Sequence, residues 1–202
     1  MRTFFAIDLP PLPSWDPGRP GPAEEPSHLT VRFLGDLPPS RLPVLEAAGA
    51  RAVRGIAPFP ITLAPIGAFP SEREPRIVWV GVDDGRDALG RLALRLSEEL
   101  GRERFPAEPR PFVPHVTWRR IRGRSDRSLA EAWLAQRRLP APIEARVDSL
   151  LLKESELRPE RAVHTTLATF PLGAEASSSE IAPRRSVPRE NAPPPGSTPP
   201  RG

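Results

Sequence analysis

The chain contains three histidines, and each opens an H-x-T tripeptide: His28-Leu29-Thr30, His115-Val116-Thr117 and His164-Thr165-Thr166. Thr occurs eight times in 202 residues, so composition alone does not account for a Thr two places after every His. On a β-strand, residues i and i+2 point to the same face. Each imidazole therefore lies beside a Thr hydroxyl, and the residue between them points the other way. Leu29 and Val116 are apolar, so those two strands can bury one face in a core and present His and Thr to a cleft. Thr165 is polar, which sets His164 apart. Strict alternation also carries Arg32 and Arg119 onto the polar faces of His28 and His115. It puts Phe33 and Trp118 on the core side.

Two imidazoles facing each other can divide the work of a phosphodiester reaction. A neutral one takes a proton from the nucleophile, and a protonated one gives a proton to the leaving oxygen. Two Thr hydroxyls, aided by Arg, can hold the non-bridging oxygens. Metal binding by these His would need a further ligand, and no H-x-x-x-H, E-x-x-H or carboxylate cluster accompanies them. No metal and no cofactor are therefore expected.

The elements that must carry these residues follow from periodicity. Thr3–Leu9 reads as a short apolar strand and His28–Leu34 as an alternating one. Ser40 is placed to cap a helix running to Arg54, with Pro43 in its first turn. Phe59–Ile66 and Arg76–Val82 read as strands. Leu89, Leu92, Ala93, Leu96 and Leu100 recur at helical spacing over Arg86–Leu100, and Gly101 is placed to end that helix. Phe112–Arg120 is a strand, Asp126–Arg138 a helix, and Ile143–Leu152 and Ala162–Phe170 are strands. Runs of strands interrupted by single helices predict an α+β fold with mainly antiparallel sheet.

Composition narrows the function classes. The chain has no Cys, which excludes disulfides, thiolate metal sites and Cys nucleophiles. No apolar run approaches the length of a membrane span, and the N-terminal segment reads as a strand and not as a signal peptide. A cytoplasmic chain without a membrane partner is expected. The net charge of +4 permits a phosphate-bearing partner without demanding one. Lys153 is the only Lys, so the basic residues are otherwise all Arg.

At its two apolar-framed H-x-T motifs the sequence resembles the 2H phosphoesterase superfamily, and within it the RNA 2',3'-cyclic phosphodiesterases, also called 2'-5' RNA ligase-like proteins. The resemblance lies in Arg2–Pro10, His28–Gly35, Gly67–Pro70, Arg76–Val82, Pro111–Arg120 and Asp148–Pro171. The motifs proper are His28-Leu29-Thr30-Val31 and His115-Val116-Thr117-Trp118, 87 residues apart. The resemblance implies a bilobal α+β fold: two mainly antiparallel sheets, helices outside, and a central cleft. It implies hydrolysis of an RNA 2',3'-cyclic phosphate, or a related small cyclic nucleotide, to a 2'-phosphomonoester. His28 would be the proton donor and His115 the acceptor. Thr30 and Thr117 would hold the phosphate, and Arg120 falls where the family usually carries an Arg. Alternation adds Arg32 to the phosphate-binding set, and a monomer is expected. His164 matches a position usually held by an aromatic such as Tyr, which implies a place in the fold and no part in the chemistry. The alternatives are the reverse reaction, 2'-5' ligation of RNA ends, and a non-catalytic module that binds RNA ends.

One departure from the family stands out. A helix normally joins the first strand to the first H-x-T, whereas residues 10–27 hold seven prolines here and cannot form a continuous helix. An apolar face would lose its cover, with Trp15 placed to fill part of the gap. Residues 173–202 hold seven further prolines with Ser, Glu and Arg, and their composition predicts a disordered tail beyond a single domain over 1–172. A chain ending at Leu172 should therefore keep its melting temperature and its activity. A clear loss of either would show that the tail docks on the body.

Overall fold

The protein is described here by a computed structural model that covers residues 1–15, 27–158 and 162–173. Within them the order is β1 (Arg2–Leu9), β2 (Ser27–Asp36), a 3-10 turn (Pro39–Arg41), α1 (Leu42–Ala52), β3 (Phe59–Pro70), β4 (Pro75–Val82), α2 (Arg86–Arg102), β5 (His115–Arg120), α3 (Arg124–Gln136), β6 (Arg138–Val147), β7 (Ser149–Leu157) and β8 (Ala162–Pro171). The strands lie in the order β6-β3-β4-β5-β2-β1-β7-β8. Every pairing is antiparallel, as the α+β reading predicts. The two expected sheets form one ladder here. Its halves, β6-β3-β4-β5 and β2-β1-β7-β8, are joined through a single registered pair, Leu29 opposite Val116.

The helices cover one face of this sheet. Phe5, Ile7, Leu29, Val80, Val116, Leu150 and Leu152 point into one continuous core with Leu45, Leu89, Leu92, Leu96 and Trp133 of the helices. The amphipathic stripe of α2 (Leu89, Leu92, Leu96, Leu100) is buried as its spacing predicts. Burying such a stripe supplies roughly 1.5–3 kcal/mol per large side chain.

Several boundaries differ from the sequence reading. Ser40 does not cap α1: it lies in the 3-10 turn, and the cap position is Arg41. Gly101 does not end α2 but sits inside its last turn, and Arg104 reverses the chain at φ 62°. α3 ends at Gln136, with Arg137 capping it at φ 60°, whereas the periodicity carries it to Arg138. The predicted strand over Ile143–Leu152 is two strands. β6 pairs with β3 in one half, β7 pairs with β1 in the other, and Asp148 is the crossing point. Both strands are half-apolar, so nothing in their pattern marks the break.

The start of the expected proline-rich substitute for a helix is visible as residues 10–15. Residues 16–26, and the tail from 174, lie outside the described residues. The indole of Trp118 donates to the Pro13 carbonyl at 2.9 Å, and that of Trp133 donates to the Trp15 carbonyl at 2.9 Å. Trp15 packs edge-on against Trp118 at 5.2 Å, and Trp118 lies 4.7 Å from Trp133. Three indoles and two hydrogen bonds thus fasten an extended segment over the core side of β5 without a helix. Trp15→Ala should cost about 2 kcal/mol by urea unfolding, less than a fully buried Trp loses, because the ring is half-buried. A loss below about 0.5 kcal/mol would show that the segment lies on the body without stabilising it.

Candidate active site

The antiparallel register about Leu29 and Val116 brings the two H-x-T motifs together. Leu29 and Val116 point into the core, so His28, Thr30, His115 and Thr117 all point to the opposite, helix-free face. The same register places Thr117 across from His28 and His115 across from Thr30. Cross-strand neighbours of this kind stand about 5 Å apart at Cβ, with diagonal pairs at about 7–8 Å. The two imidazoles therefore occupy one diagonal of a square and the two Thr the other.

Both motif strands break alternation at the same place. Along β1 and β2, Ala6 pairs with Thr30 but Phe5 pairs with Arg32, so Val31 is an extra residue. Along β4 and β5, Trp79 pairs with Thr117 but Val78 pairs with Arg119, so Trp118 is extra. A one-residue bulge of this kind puts both of its residues on one side and re-aims everything after it. Arg32 and Arg119 are therefore on the core side, contrary to the alternating prediction. Arg32 bonds to the Pro106 carbonyl and lies 3.3 Å from Glu108, with its side chain largely buried. Arg119 donates to Asp126 at 2.9 Å, and the other oxygen of that carboxylate accepts the Arg122 amide at 2.9 Å. Both arginines anchor chain behind the sheet.

The residue after each bulge comes back to the His face. In the second motif this is Arg120, opposite Ile77, exposed and on the side of Thr117. In the first it is Phe33, opposite Phe4, 43% exposed and stacked under the Arg2 guanidinium at 4.9 Å. Phe33 is thus not on the core side, whereas Trp118 is. Of the residues predicted to hold phosphate, the fold brings Thr30, Thr117 and Arg120 together with the two histidines and removes Arg32.

The surroundings of the two imidazoles differ. His115 is half-buried and backed by aromatic rings, Phe69 at 4.9 Å and Trp79 at 6.0 Å. Its Nδ1 lies 2.7 Å from the Val113 carbonyl, which can only accept, so Nδ1 carries the proton and Nε2 keeps its lone pair. Burial lowers the His115 pKa below its ordinary value, and the Val113 bond opposes this. His115 is therefore biased toward its neutral form, with Nε2 the ring nitrogen left able to accept a proton.

His28 sits in a charged and aromatic corner. Its ring lies 5.4 Å from Phe4 and 4.8 Å from His164. Lys153, itself buried, pairs with Asp8, the residue opposite His28 on β1. Burial pushes the His28 pKa from its ordinary 6.5 to about 4, with His164 and Lys153 acting the same way and Asp8 against them. The sequence reading makes His164 a fold position only, yet it stands beside the candidate donor on the same face. Pairing of Lys153 with Thr166 and of Ser155 with His164 carries it there. Its H-x-T spacing is a usable signal that the polar Thr165 masks. On an edge strand the face away from the site is partly open to water, and a polar residue is admissible there.

Residues 15–159 match the family model of the 2'-5' RNA ligase superfamily. An RNA 2',3'-cyclic phosphodiesterase of Thermus thermophilus is 34% identical, over 87% of this chain and 92% of the relative. The protein of the same description from Thermotoga maritima is 31% identical, over 83% and 93%. Among solved structures, Escherichia coli LigT in complex with 3'-AMP superposes with a TM-score of 0.63 at 28% identity, covering 86% of this chain and 98% of that one. A Thermus thermophilus structure gives 0.61 at 29% identity, covering 85% and 98%. The chain belongs to the 2'-5' RNA ligase superfamily.

Trp79, behind His115, lies flat against two glycines. A Cβ on Gly67 would fall inside the indole, and one on Gly81 would come within 2.9 Å of it. Gly67→Ala should therefore destabilise the fold by about 1–3 kcal/mol in urea unfolding. Gly90→Ala, with open space around it in α2, should instead stabilise by about 0.5–1 kcal/mol. Equal effects at the two sites would contradict the packing described for Trp79.

Proposed function

We propose that this chain hydrolyses the 2',3'-cyclic phosphate at RNA 3' ends to a 2'-phosphomonoester, using His28 and His115 for proton transfer and no metal ion. The observation that carries the reading is the Leu29–Val116 junction, which sets two His-Thr pairs diagonally on one open face of a chain from this superfamily. Its relatives' description as RNA 2',3'-cyclic phosphodiesterases supports the substrate class. The two halves of the sheet act as two lobes, each supplying one motif strand. Among the described residues no helix is long and apolar enough to cross a membrane.

The chemistry follows from the ring environments. Neutral His115 takes a proton at Nε2 from water as the water oxygen bonds to phosphorus. The bond from phosphorus to O3' breaks, and His28 gives its proton to O3'. The product carries a 2'-phosphate and a 3'-hydroxyl. Thr30 and Thr117 donate to the non-bridging oxygens, and Arg120 offsets their charge.

The His28 role requires a proton that the free protein does not hold at neutral pH. An anionic phosphodiester in contact with the ring favours the charged imidazole and restores it. The profile of kcat/KM reports the free protein, and that of kcat reports the complex. The alkaline limb of kcat should lie at higher pH than that of kcat/KM. Coincident limbs would mean that substrate does not protonate His28.

The test of the reading is direct. The protein is incubated with an oligonucleotide ending in a 2',3'-cyclic phosphate, in excess chelator, and the product isomer is identified. A 2'-phosphate is expected, and His28→Ala or His115→Ala should each lower turnover about 10²–10⁴-fold with affinity changed only a few-fold. A 3'-phosphate, loss of turnover in chelator, or more than a tenth of activity surviving in His115→Ala would overturn it. The family's name favours one further reading, 2'-5' ligation, in which a 5'-hydroxyl end takes the place of water. Adding a 5'-hydroxyl oligonucleotide and looking for a 2'-5' linkage separates the two.

A further inference from the structure

We infer that His164 is a positioning residue for His28, holding the donor imidazole in the orientation from which it passes its proton. The inference rests on the phosphodiesterase reading of the same site and adds a third histidine to it. β8 and β2 are separated by β1 and β7, so their backbones stand about 14 Å apart along the sheet. The two rings nevertheless approach to 4.8 Å at an interplanar angle of 74°. Both side chains lean inward over Phe4, which meets His28 at 5.4 Å and His164 edge-on at 5.2 Å. Three rings thus brace one another on the helix-free face. His28 is the member placed beside Thr117, and His164 is the exposed outer one. Edge-to-face ring packing at these distances has a preferred geometry, which fixes the plane of the ring it touches.

The charged and titratable groups facing His28 from the described elements are Asp8 on β1, Lys153 on β7 and His164 on β8. Asp8 and Lys153 are paired with each other, and His164 is the titratable ring packed directly against His28. A protonated His164 disfavours a second proton on His28. Removing the charge while keeping a ring should therefore make His28 easier to protonate. Removing the ring should also loosen its aim.

The experiment uses the full chain with His164→Ala and His164→Phe. Because there are only three histidines, single substitutions assign every imidazole resonance in an NMR pH titration. Turnover of the cyclic-phosphate oligonucleotide is measured in parallel. His164→Ala should lower kcat about tenfold with KM within twofold, and His164→Phe should restore kcat to within about threefold. In both variants the His28 titration midpoint should rise by about half a unit or more, and the alkaline limb should follow it. An unchanged His28 midpoint in His164→Phe would overturn the inference. So would a rise in KM alone, which makes His164 a substrate contact, or a drop in melting temperature with the midpoint unmoved, which makes it a packing residue. If the unmodified chain turns over nothing, the phosphodiesterase reading falls, and the NMR midpoints still decide whether His164 acts on His28.

Discussion

The candidate site depends on one backbone pairing. Leu29 and Val116 are the sole registered pair between β2 and β5, and these two strands make the only strand pairing between the two halves of the sheet among the described residues. Both side chains are almost fully buried, so neither strand can slip by one residue without turning an apolar side chain out and a histidine in. The hydrophobic requirement on Leu29 and Val116 is thus the same constraint that puts His28 and His115 on one face. Register also sets which group meets which, with each imidazole across from the other motif's hydroxyl.

The paired bulges extend that constraint into a division of labour. Placing an extra residue after H-x-T in both strands sends Arg32 and Arg119 behind the sheet and returns Phe33 and Arg120 to the front. The rear arginines tie down the segment before β5 and the start of α3. The front positions differ between halves, an aromatic in one and a cation in the other. With His115 backed by Phe69 and Trp79, and His28 crowded by His164 and the Lys153–Asp8 pair, two similar halves give their imidazoles unlike environments. Acid–base chemistry with two groups of the same type needs that difference.

Much of this is legible in the sequence, and the illegible parts have physical reasons. Alternation around Leu29 and Val116 reveals the two motif strands and their facing, because burial on one side imposes a period of two. The stripe on α2 is equally plain. A bulge leaves no mark in composition, since Val31-Arg32 and Trp118-Arg119 read as ordinary strand residues, so alternation misassigns Arg32, Arg119 and Phe33. The resemblance, not the periodicity, points to Arg120. The β6–β7 break is hidden because both strands continue one half-apolar pattern across Asp148. His164 is hidden for another reason: its partner ring belongs to a strand more than a hundred residues earlier, and only the tertiary fold joins them.

The most direct test of the account is a crystal structure of the protein with a 2'-nucleotide product such as 2'-AMP. Phosphate oxygens are expected within hydrogen-bond reach of His28, His115, Thr30, Thr117 and Arg120, with Arg32 still paired to Glu108 behind the sheet. A phosphate bound away from the Leu29–Val116 junction, or one held by Arg32 turned to the front, would contradict it.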